Sequence, residues 1–474
     1  MAHSAIVIGA GPNGLTAAAF LARRGVNVTV YEQASQVGGS ARTDTIFGAG
    51  TISDVGAAAH PFAVGSPAFR ELDLESHGLK WVFHRYPLAH PLDGRDSVLL
   101  HQDLQLTAEQ FGVDAAAWRW LHGPISSHPL QDLSNVTGPL LRIPPHPLSM
   151  ARFGARALLP AATTARLLFR TEGAKALFIG SAAHSMLPLG HLFTSGFGAL
   201  FGGLGQSLGW PVARGGTGEI INALVRGLTA MGVQIQTNNA VTDLRELPAA
   251  DVVLLDLTPA QILRLRGTNI SGRYAYFLRR WKYGPGVFKV DYLLDGPIPW
   301  HDERTVHAGT VHVGGSFAEV VESERDLGRG KLSSTPFVML AQPSSVDPLR
   351  APKGQHMIWA YAHVPVGCTA PVGKLIDAQI ERFAPGFLDR ILARREMSPQ
   401  ALESWNPNLV GGDIGGGSLR GLQQVFRPTP TLRPYNTGVP GLYVCSSSTP
   451  PGAGVHGMAG WNAAAAALRD LGAE

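Results

Sequence analysis

The sequence predicts an α/β protein in which a Rossmann-type dinucleotide-binding domain is interrupted by an α+β domain with a mixed or antiparallel sheet. Three observations lead to this prediction. A strand, glycine turn, helix and strand follow one another between residues 5 and 32, an α/β pattern returns at residues 215–257, and a second strand, glycine turn and helix end the chain. A chain of 474 residues is too long for one ordinary core, so two packed domains are expected.

The N-terminal unit is the most specific of the three. Its first strand, Ile6–Ile8, is apolar throughout, as in parallel strands buried on both faces. Three glycines follow in G-x-G-x-x-G spacing, where they permit a tight turn, approach of a pyrophosphate and close helix–strand packing: Gly9, Gly11 and Gly14. Pro12 suits the first helical position, because its missing N–H would have no partner there. The whole pattern predicts a dinucleotide site.

Glu32 ends the second strand of this unit. An acidic residue at this point accepts hydrogen bonds from the hydroxyls of an adenosine ribose, and it disfavours a 2′-phosphate. The expected cofactor is therefore FAD or NAD and not NADP.

The residues after Glu32 favour FAD. A glycine pair, Gly38-Gly39, is followed by Ser40-Ala41-Arg42-Thr43 and then by Asp54-Val55-Gly56. Here the sequence resembles the flavoprotein superfamily of amine oxidases, phytoene desaturases and Rab GDP-dissociation inhibitors. The resemblance implies non-covalent FAD, with Gly38, Gly39 and Arg42 beside it. In the commonest version the arginine directly follows the glycine pair, whereas here Ser40 comes between.

The C-terminal stretch carries the same resemblance. It reads G-L-Y-V-C-S-S-S-T-P-P-G-A-G-V-H-G from Gly441 and then continues as a small-residue helix. The superfamily's closing motif implies a helix N-terminus aimed at the pyrimidine edge of the flavin, where N–H groups stabilise negative charge. By this resemblance four residues lie at the cofactor: Ser446, Gly452, Gly454 and Gly457. The whole chain looks closest to the bacterial phytoene-desaturase-like branch.

Between the two ends, an α/β pattern returns. Gly215–Gly218 opens a helix, Val233–Ile235 reads as a strand, Val241 as a second short strand, and Val252–Leu257 as a buried parallel strand. The resemblance implies that Val241 meets the adenine through its backbone. The predicted cofactor domain is accordingly discontinuous, with residues 1–70, 206–270 and 411–474. The predicted substrate domain has residues 71–205 and 271–410.

A long uncharged stretch lies in the predicted substrate domain. Residues 176–213 contain no Lys, Arg, Asp or Glu, but Pro188 and many glycines interrupt any continuous membrane-spanning helix. We favour the buried wall of a lipophilic cavity or plain core. Just upstream, four arginines alternate with apolar residues: Arg152, Arg156, Arg166 and Arg170. A solvated helix face is favoured here over a membrane-surface patch.

A few side chains are candidates for chemistry. Lys289 sits in an apolar strand, where the resemblance to amine oxidases implies a lysine holding water at flavin N5; the alternative is a lysine on the outer face of an edge strand. His456 and His60 either face the flavin or substrate or are capping or core histidines. Trp359 and Tyr361 share a strand face and form either a substrate-pocket wall or ordinary core.

Composition excludes several other classes. The net charge of +4 is spread thinly and no dense Lys/Arg stripe is present, which argues against nucleic-acid binding. The two cysteines, Cys368 and Cys445, are far apart, so neither a disulfide nor a metal site is predicted. No basic region precedes the first apolar run, so no signal peptide is expected. The prediction is a cytoplasmic protein, with peripheral membrane contact as the open alternative.

The functional expectation is an FAD-dependent oxidoreductase that desaturates, saturates or isomerises C–C/C=C bonds of a lipophilic small molecule. The alternatives are a flavin amine or amino-acid oxidase and a non-catalytic lipid- or isoprenoid-binding escort protein of the same fold.

Overall fold

A computed structural model describes residues 3–473 of the protein. The strands are β1 (Ser4–Ile8), β2 (Asn27–Tyr31), β3 (Thr43–Asp44), β4 (Ser53–Asp54), β5 (Trp81–Val82), β6 (Tyr86–Leu92), β7 (Arg95–Leu100), β8 (Val212–Ala213), β9 (Gln234–Gln236), β10 (Val252–Leu255), β11 (Gly286–Leu294), β12 (Ala308–Val313), β13 (Val338–Ala341), β14 (His356–Val364), β15 (Ile391–Met397) and β16 (Leu442–Val444).

The helices are α1 (Pro12–Ala22), α2 (Pro67–Glu71), α3 (Leu104–Glu109), α4 (Ala115–Ser127), α5 (Pro129–Val136), α6 (Pro147–Ala157), α7 (Ala161–Leu168), α8 (Glu172–Ala183), α9 (Thr194–Gly205), α10 (Gly218–Ala230), α11 (Pro259–Arg264), α12 (Gly272–Arg279), α13 (Phe317–Gly328), α14 (Gly373–Phe383), α15 (Pro399–Trp405) and α16 (Met458–Leu471).

Five parallel strands form the predicted Rossmann-type sheet, in the order β16-β10-β1-β2-β9. They come from both ends of the chain and from its middle. Helix α1 begins at Pro12, as predicted. Two glycines have no room for a side chain: Gly14, where α1 meets the turn after β1, and Gly460, where α16 meets α1. A Cβ on Gly14 would lie 2.0 Å from the Gly9 carbonyl oxygen, and one on Gly460 would lie 1.8 Å from that of Asn13. The close approach of helix and sheet therefore depends on glycine.

The second sheet has seven strands in the order β15-β11-β14-β13-β12-β6-β7. All neighbours are antiparallel except β12 and β6, which are parallel. Because this mixed sheet and its helices lie between the segments of the Rossmann sheet, the predicted fold class is confirmed. The exact domain boundaries stay predictions.

The two faces of the seven-stranded sheet differ in chemistry. Strands β11 and β14 turn Phe288, Val290 and Ala360 towards α14, in an apolar cluster. The opposite face carries Lys289 and Tyr361, which are register partners on neighbouring strands, and it faces the helical layer that includes α8 and α9. Polar and aromatic side chains are thus collected on the face that is turned to the rest of the molecule.

The uncharged stretch contributes to that helical layer. It forms most of α8, all of α9 and β8, and most of its side chains are buried. This agrees with the favoured prediction of a buried wall or core. Within residues 3–473, no helix is both long and apolar enough to cross a membrane.

The predicted short strand at Val241 is wrong. Val241 lies in a loop, because the chain turns away after β9. The N–H groups of Asn238 and Asn239 donate to the carbonyls of Ala34 and Glu32 at 2.9 Å each, so the backbone before Val241 is paired with the segment that follows β2.

Candidate cofactor and substrate site

The residues of the N-terminal glycine turn carry no side chains of their own at Gly9 and Gly11. Gly9 has φ +100°, and a Cβ on Gly11 would lie 2.7 Å from Oδ2 of Asp256. Gly39 packs against the same turn, where its added Cβ would lie 3.1 Å from the Gly11 Cα. Next to this turn, Oδ1 of Asn13 is buried and has no hydrogen-bond partner among residues 3–473. The bare turn and the unpaired amide oxygen fit a bound dinucleotide.

Glu32 is held in place by backbone donors. Its Oε2 accepts from the Ala10 N–H at 2.8 Å and its Oε1 accepts from the Ala34 N–H at 2.9 Å. Each carboxylate oxygen keeps further lone pairs, which are what two ribose hydroxyls need. The ribose role of Glu32 stays a prediction.

Asp256 is a residue of this site that the sequence analysis missed. It directly follows β10, and its Oδ2 accepts from the Gly14 N–H at 2.9 Å. Burial raises the pKa of this carboxyl to about 7; the hydrogen bond from Gly14 opposes that effect and the charge of Glu32 adds to it. The available signal was an acid at the carboxyl end of a buried parallel strand, the edge of the sheet where ligands bind.

The predicted cofactor residue Arg42 connects the two parts of the molecule. Its Nε donates to the Gly39 carbonyl at 3.0 Å and its Nη2 to the Trp405 carbonyl at 3.1 Å. The guanidinium carbon also lies 4.3 Å from the centroid of the Trp405 ring. Gly38, with φ +116°, permits the turn that brings Arg42 back. Arg42 therefore fixes the second glycine turn against α15.

The C-terminal loop also depends on glycine conformations. Gly452, Gly454 and Gly457 have φ values of +106°, +127° and +68°. Ser446 is buried at the start of the loop, and its carbonyl accepts from the Thr449 hydroxyl at 2.8 Å. The loop thus leads from β16 into α16 through backbone conformations that other residues rarely adopt.

His456 serves as a cap in this loop. Its Nδ1 accepts from the Met458 N–H at 3.1 Å, in the first turn of α16, and its Nε2 donates to the Ala453 carbonyl at 3.2 Å. Burial lowers its pKa to about 4, so the ring is neutral at pH 7. A proton-transfer role for His456 would require these hydrogen bonds to break.

His60 is similarly engaged. Its Nε2 lies 2.8 Å from the Thr217 hydroxyl, which itself donates to the Ala57 carbonyl at 2.7 Å. The imidazole is therefore the donor in the first bond. Burial lowers the pKa of His60 to about 4, although the charge of Asp54 opposes this.

Arg427 is the second residue that the sequence analysis missed. It is 2% exposed and lies between the C-terminal loop and a glycine-rich segment, Gly415–Gly417. Its Nη2 faces four backbone carbonyls at 3.2–3.4 Å, whereas Nε and Nη1 have no hydrogen-bond partner among residues 3–473. Burial lowers the pKa of Arg427 to about 10, so it is charged at pH 7.

Lys289 is buried on β11 and forms an ion pair with Asp291, two residues along the same face. Asp291 also accepts from the Ser53 hydroxyl at 3.0 Å. The alternative of an outer-face lysine on an edge strand is wrong, because β11 is paired on both sides. Burial lowers the pKa of Lys289, and the carboxylate of Asp291 opposes that shift.

The aromatic candidates share the same sheet face as Lys289. The rings of Trp359 and Tyr361 meet edge to face at 5.0 Å. The Tyr361 hydroxyl lies 3.1 Å from Sδ of Met339, and Nε1 of Trp359 is buried without a partner among the described residues.

A row of rings connects this face with the C-terminal loop. Phe62 lies 6.3 Å from the His456 ring and 5.2 Å from Phe201, which stacks on His184 at 4.6 Å. Nε2 of His184 then meets Nε2 of His312 at 2.9 Å. Burial lowers the pKa of His184 to about 3 and that of His312 well below its usual value, so the row is uncharged.

No metal centre accompanies these groups. Across residues 3–473, no cluster of three or more His, Cys, Asp or Glu side chains could hold a metal ion. The two cysteines are unpaired.

Comparison with known proteins agrees with this geometry. Residues 7–72 match the family model of the NAD(P)-binding Rossmann-like domain. The chain is 27% identical to the rat "Pyridine nucleotide-disulfide oxidoreductase domain-containing protein 2", over 99% of this chain and 94% of that protein. It is 25% identical to the lycopene-forming phytoene desaturase of Pseudescherichia vulneris, over 60% and 61% of the two chains.

A solved structure with the same fold is the cyclohexylamine oxidase from Brevibacterium oxydans IH-35A. It covers all of both chains with a TM-score of 0.61 and 15% identity. The predicted resemblance is thereby confirmed: the chain has a Rossmann-like domain, homologues among phytoene desaturases and structural neighbours among amine oxidases. These relationships support an oxidoreductase with a flavin or nucleotide cofactor.

Proposed function

We propose that this homologue of phytoene desaturases is an FAD-dependent oxidoreductase that desaturates, saturates or isomerises C–C/C=C bonds of a lipophilic small molecule. The observation that carries the proposal is the uncharged row of rings that joins the C-terminal glycine loop to the inner face of the seven-stranded sheet. An apolar substrate can lie against such a surface without leaving a buried charge unpaired.

The residues that would hold FAD are those of the two glycine loops. Glu32 would accept from the ribose, the turn at Gly11 would admit the pyrophosphate, and the loop at Gly452–Gly457 would approach the flavin. When bound, the flavin supplies the redox chemistry, which lets a carbon–hydrogen bond be made or broken. The protein then has to bind, orient and exclude water.

The charge state of the side chains on this surface indicates the class of substrate. Histidines in the row are neutral at pH 7 because burial lowers their pKa values, and the buried ammonium of Lys289 is already paired with Asp291. These groups offer hydrogen bonds and apolar contact and leave no free charge for an ionic substrate. A lipophilic molecule with few polar groups is therefore the better match.

Amine oxidation is the second candidate. Its support is Glu324, which is buried against His363 at 2.9 Å and whose Oε2 has no hydrogen-bond partner in the described part of the chain. An unpaired carboxylate oxygen could accept a hydrogen bond from a substrate ammonium group.

Anaerobic reduction of the bound flavin separates the two candidates. The purified protein is mixed with a panel of isoprenoids, or with a panel of primary amines, and the absorbance of oxidised flavin is followed. Loss of absorbance with an isoprenoid supports the proposal, and loss only with amines contradicts it. Because a saturating or isomerising enzyme does not reduce its flavin with such a substrate, product analysis after chemical reduction of the flavin completes the panel. A yellow protein that only retains an isoprenoid unchanged would be an escort protein.

A lipid surface is the proposed source of the substrate. Residues 133–171 contain five arginines and no Asp, Glu or Lys. Leu148 and Arg152 are exposed one turn apart on α6, Leu158 is exposed directly after this helix, and Leu148 is 76% exposed. The Phe193 N–H donates to the Leu158 carbonyl at 3.1 Å, which brings exposed Leu192 to the same surface. Apolar side chains between arginines match an anionic bilayer interface.

Vesicle sedimentation tests this contact. We expect the protein to sediment with vesicles of anionic phospholipid and to be released by salt. The double variant Leu148→Ser/Leu158→Ser should bind several-fold less, whereas Leu432→Ser, which alters an exposed leucine outside residues 133–193, should bind normally. Equal binding of all three proteins would contradict the proposed surface.

A further inference from the structure

Arg427 is a buried cation without an ion-pair partner among residues 3–473. The carboxyl group of Asp413 is also buried, and its charge acts on Arg427, but the two side chains form no ion pair. Asp413 instead accepts from the Gly284 N–H at 2.7 Å and from the Gly415 N–H at 2.6 Å. Because an unpaired buried charge is strongly unfavourable, the arrangement indicates a partner that the protein chain itself does not supply.

The contacts of Arg427 are confined to one edge of its guanidinium. Nη2 points to the carbonyls of Gly415–Gly417 and Ser447, and the guanidinium carbon lies 5.5 Å from the centroid of the Trp281 ring. Gly417 is packed so closely that a Cβ there would lie 2.0 Å from Trp281. The side chain is therefore held in one orientation, and its Nε and Nη1 have no hydrogen-bond partner among residues 3–473.

Nη1 of Arg427 is turned to the C-terminal glycine loop. A Cβ on Gly452 would lie 3.3 Å from Nη1, and the φ of +106° at Gly452 disfavours any other residue. The loop thus has no side chain in front of Nη1. At the next part of the loop, the Met458 N–H of α16 is already capped by His456, which removes one of the donors that a free helix N-terminus would offer.

We propose that Nη1 of Arg427 binds an anionic oxygen of the bound flavin nucleotide. Two parts of that nucleotide carry such an oxygen: the pyrophosphate, and the pyrimidine edge of the isoalloxazine, which becomes negative on reduction. A fixed guanidinium suits either, because its N–H donors form short, charge-assisted bonds. This inference rests on the proposed function, since it requires that the protein bind FAD.

The test compares wild-type protein with Arg427→Met, Arg427→Lys and the surface control Arg433→Met. Apo-protein is titrated with FAD and, separately, with ADP, and the reduction potential of the reconstituted flavin is measured against a dye. We expect Arg427→Met to weaken FAD binding about ten- to a hundredfold or to lower the reduction potential of the flavin. The same change should be smaller in Arg427→Lys, and Arg433→Met should have the affinity and potential of the wild type.

The ADP titration identifies the anion. If the pyrophosphate is the partner, ADP and FAD affinities fall together; if it is the pyrimidine edge, ADP affinity is unchanged and the reduction potential falls. Thermal unfolding of the apo-protein serves as a folding control, because Arg427→Met also removes the Nη2 contacts with the carbonyls of Gly415–Gly417 and Ser447. If Arg427→Met does not fold, Arg427→Lys is compared with the wild type in the same FAD titration, ADP titration and reduction-potential measurement.

Two results would overturn the proposal in distinguishable ways. Wild-type protein that binds no FAD would refute the proposed function, and this inference with it. Wild-type protein that binds FAD, with both affinities and the potential unchanged in the folded Arg427 variants, would refute only the role of Arg427.

Discussion

The two glycine loops of this protein are alike in backbone and opposite in charge. The N-terminal turn lies beside two buried carboxyl groups, Glu32 and Asp256, whose oxygens accept from backbone N–H groups at 2.8–2.9 Å. The C-terminal loop lies beside Arg427, two of whose nitrogens have no partner in the described part of the chain. Acceptors for sugar hydroxyls at one loop and donors for an anion at the other are what the two ends of a nucleotide cofactor require.

The largest expected effect comes from filling the N-terminal turn. In Gly11→Val the added Cβ would lie 2.7 Å from Oδ2 of Asp256. The variant also places a branched side chain on the turn whose backbone a pyrophosphate would have to approach. We expect the variant to purify without flavin. Gly154→Val is the control, because a Cβ on Gly154 meets nothing within 4 Å. Equal flavin absorbance in the two variants would show that the cofactor does not use this turn.

Removal of the Glu32 carboxylate should have the next largest effect. In Glu32→Ala the ribose loses charge-assisted bonds worth about 1.5–3 kcal/mol each, so FAD affinity should fall at least tenfold. The Ala10 and Ala34 N–H groups also lose their acceptor. Glu32→Gln keeps one acceptor oxygen, so its affinity for FAD should lie between those of the wild type and Glu32→Ala. The measurement is fluorescence titration of apo-protein, and unchanged affinity in both variants would disprove the ribose role.

Asp256 should make FAD binding depend on pH. Burial raises its pKa to about 7, and the titratable groups facing it are Glu32 and the buried thiol of Cys445, whose pKa is raised well above its usual value. The neutral carboxyl therefore predominates below pH 7, and the carboxylate that would repel a pyrophosphate appears above it. Wild-type affinity should fall several-fold between pH 6 and pH 8.5, whereas Asp256→Asn should show no such fall.

The same ionisation affects folding. The folded pKa of Asp256 is above its unfolded value, so between about pH 4 and pH 7 the folded state binds more protons than the unfolded state. Apo-protein should therefore lose stability as the pH rises through this window and change little above it. If Asp256→Asn retained the full pH dependence of both unfolding and FAD binding, another group would be responsible.

The smallest effect on cofactor chemistry is expected at Lys289. Lys289→Met leaves Asp291 buried without its cation, which should destabilise the protein by about 3–5 kcal/mol. Lys289→Met/Asp291→Leu should recover much of that loss. If Lys289 assists at flavin N5, flavin reoxidation will be slow in both variants; rates equal to wild type in the double variant would assign Lys289 a structural role only. Stopped-flow absorbance and thermal unfolding measure the two effects.

The residues of the site that could be predicted lie close to one another in the sequence, whereas those that could not be predicted contact residues far away in the sequence. The N-terminal unit was predictable because its strand, glycines and Glu32 lie within 28 residues. Asp256 and Arg427 were not, because their importance comes from contacts with Gly14 and Gly452, which are distant in sequence. The pairing of Lys289 with Asp291 could have been predicted from the sequence, because residues two apart on a strand share a face.

Binding of FAD by the N-terminal glycine turn is measured directly by reconstituting wild-type protein and Gly11→Val with FAD, removing free cofactor and recording a visible spectrum. Wild-type protein should retain equimolar flavin, and Gly11→Val should retain almost none. A wild-type protein without flavin absorbance after this treatment would contradict the account.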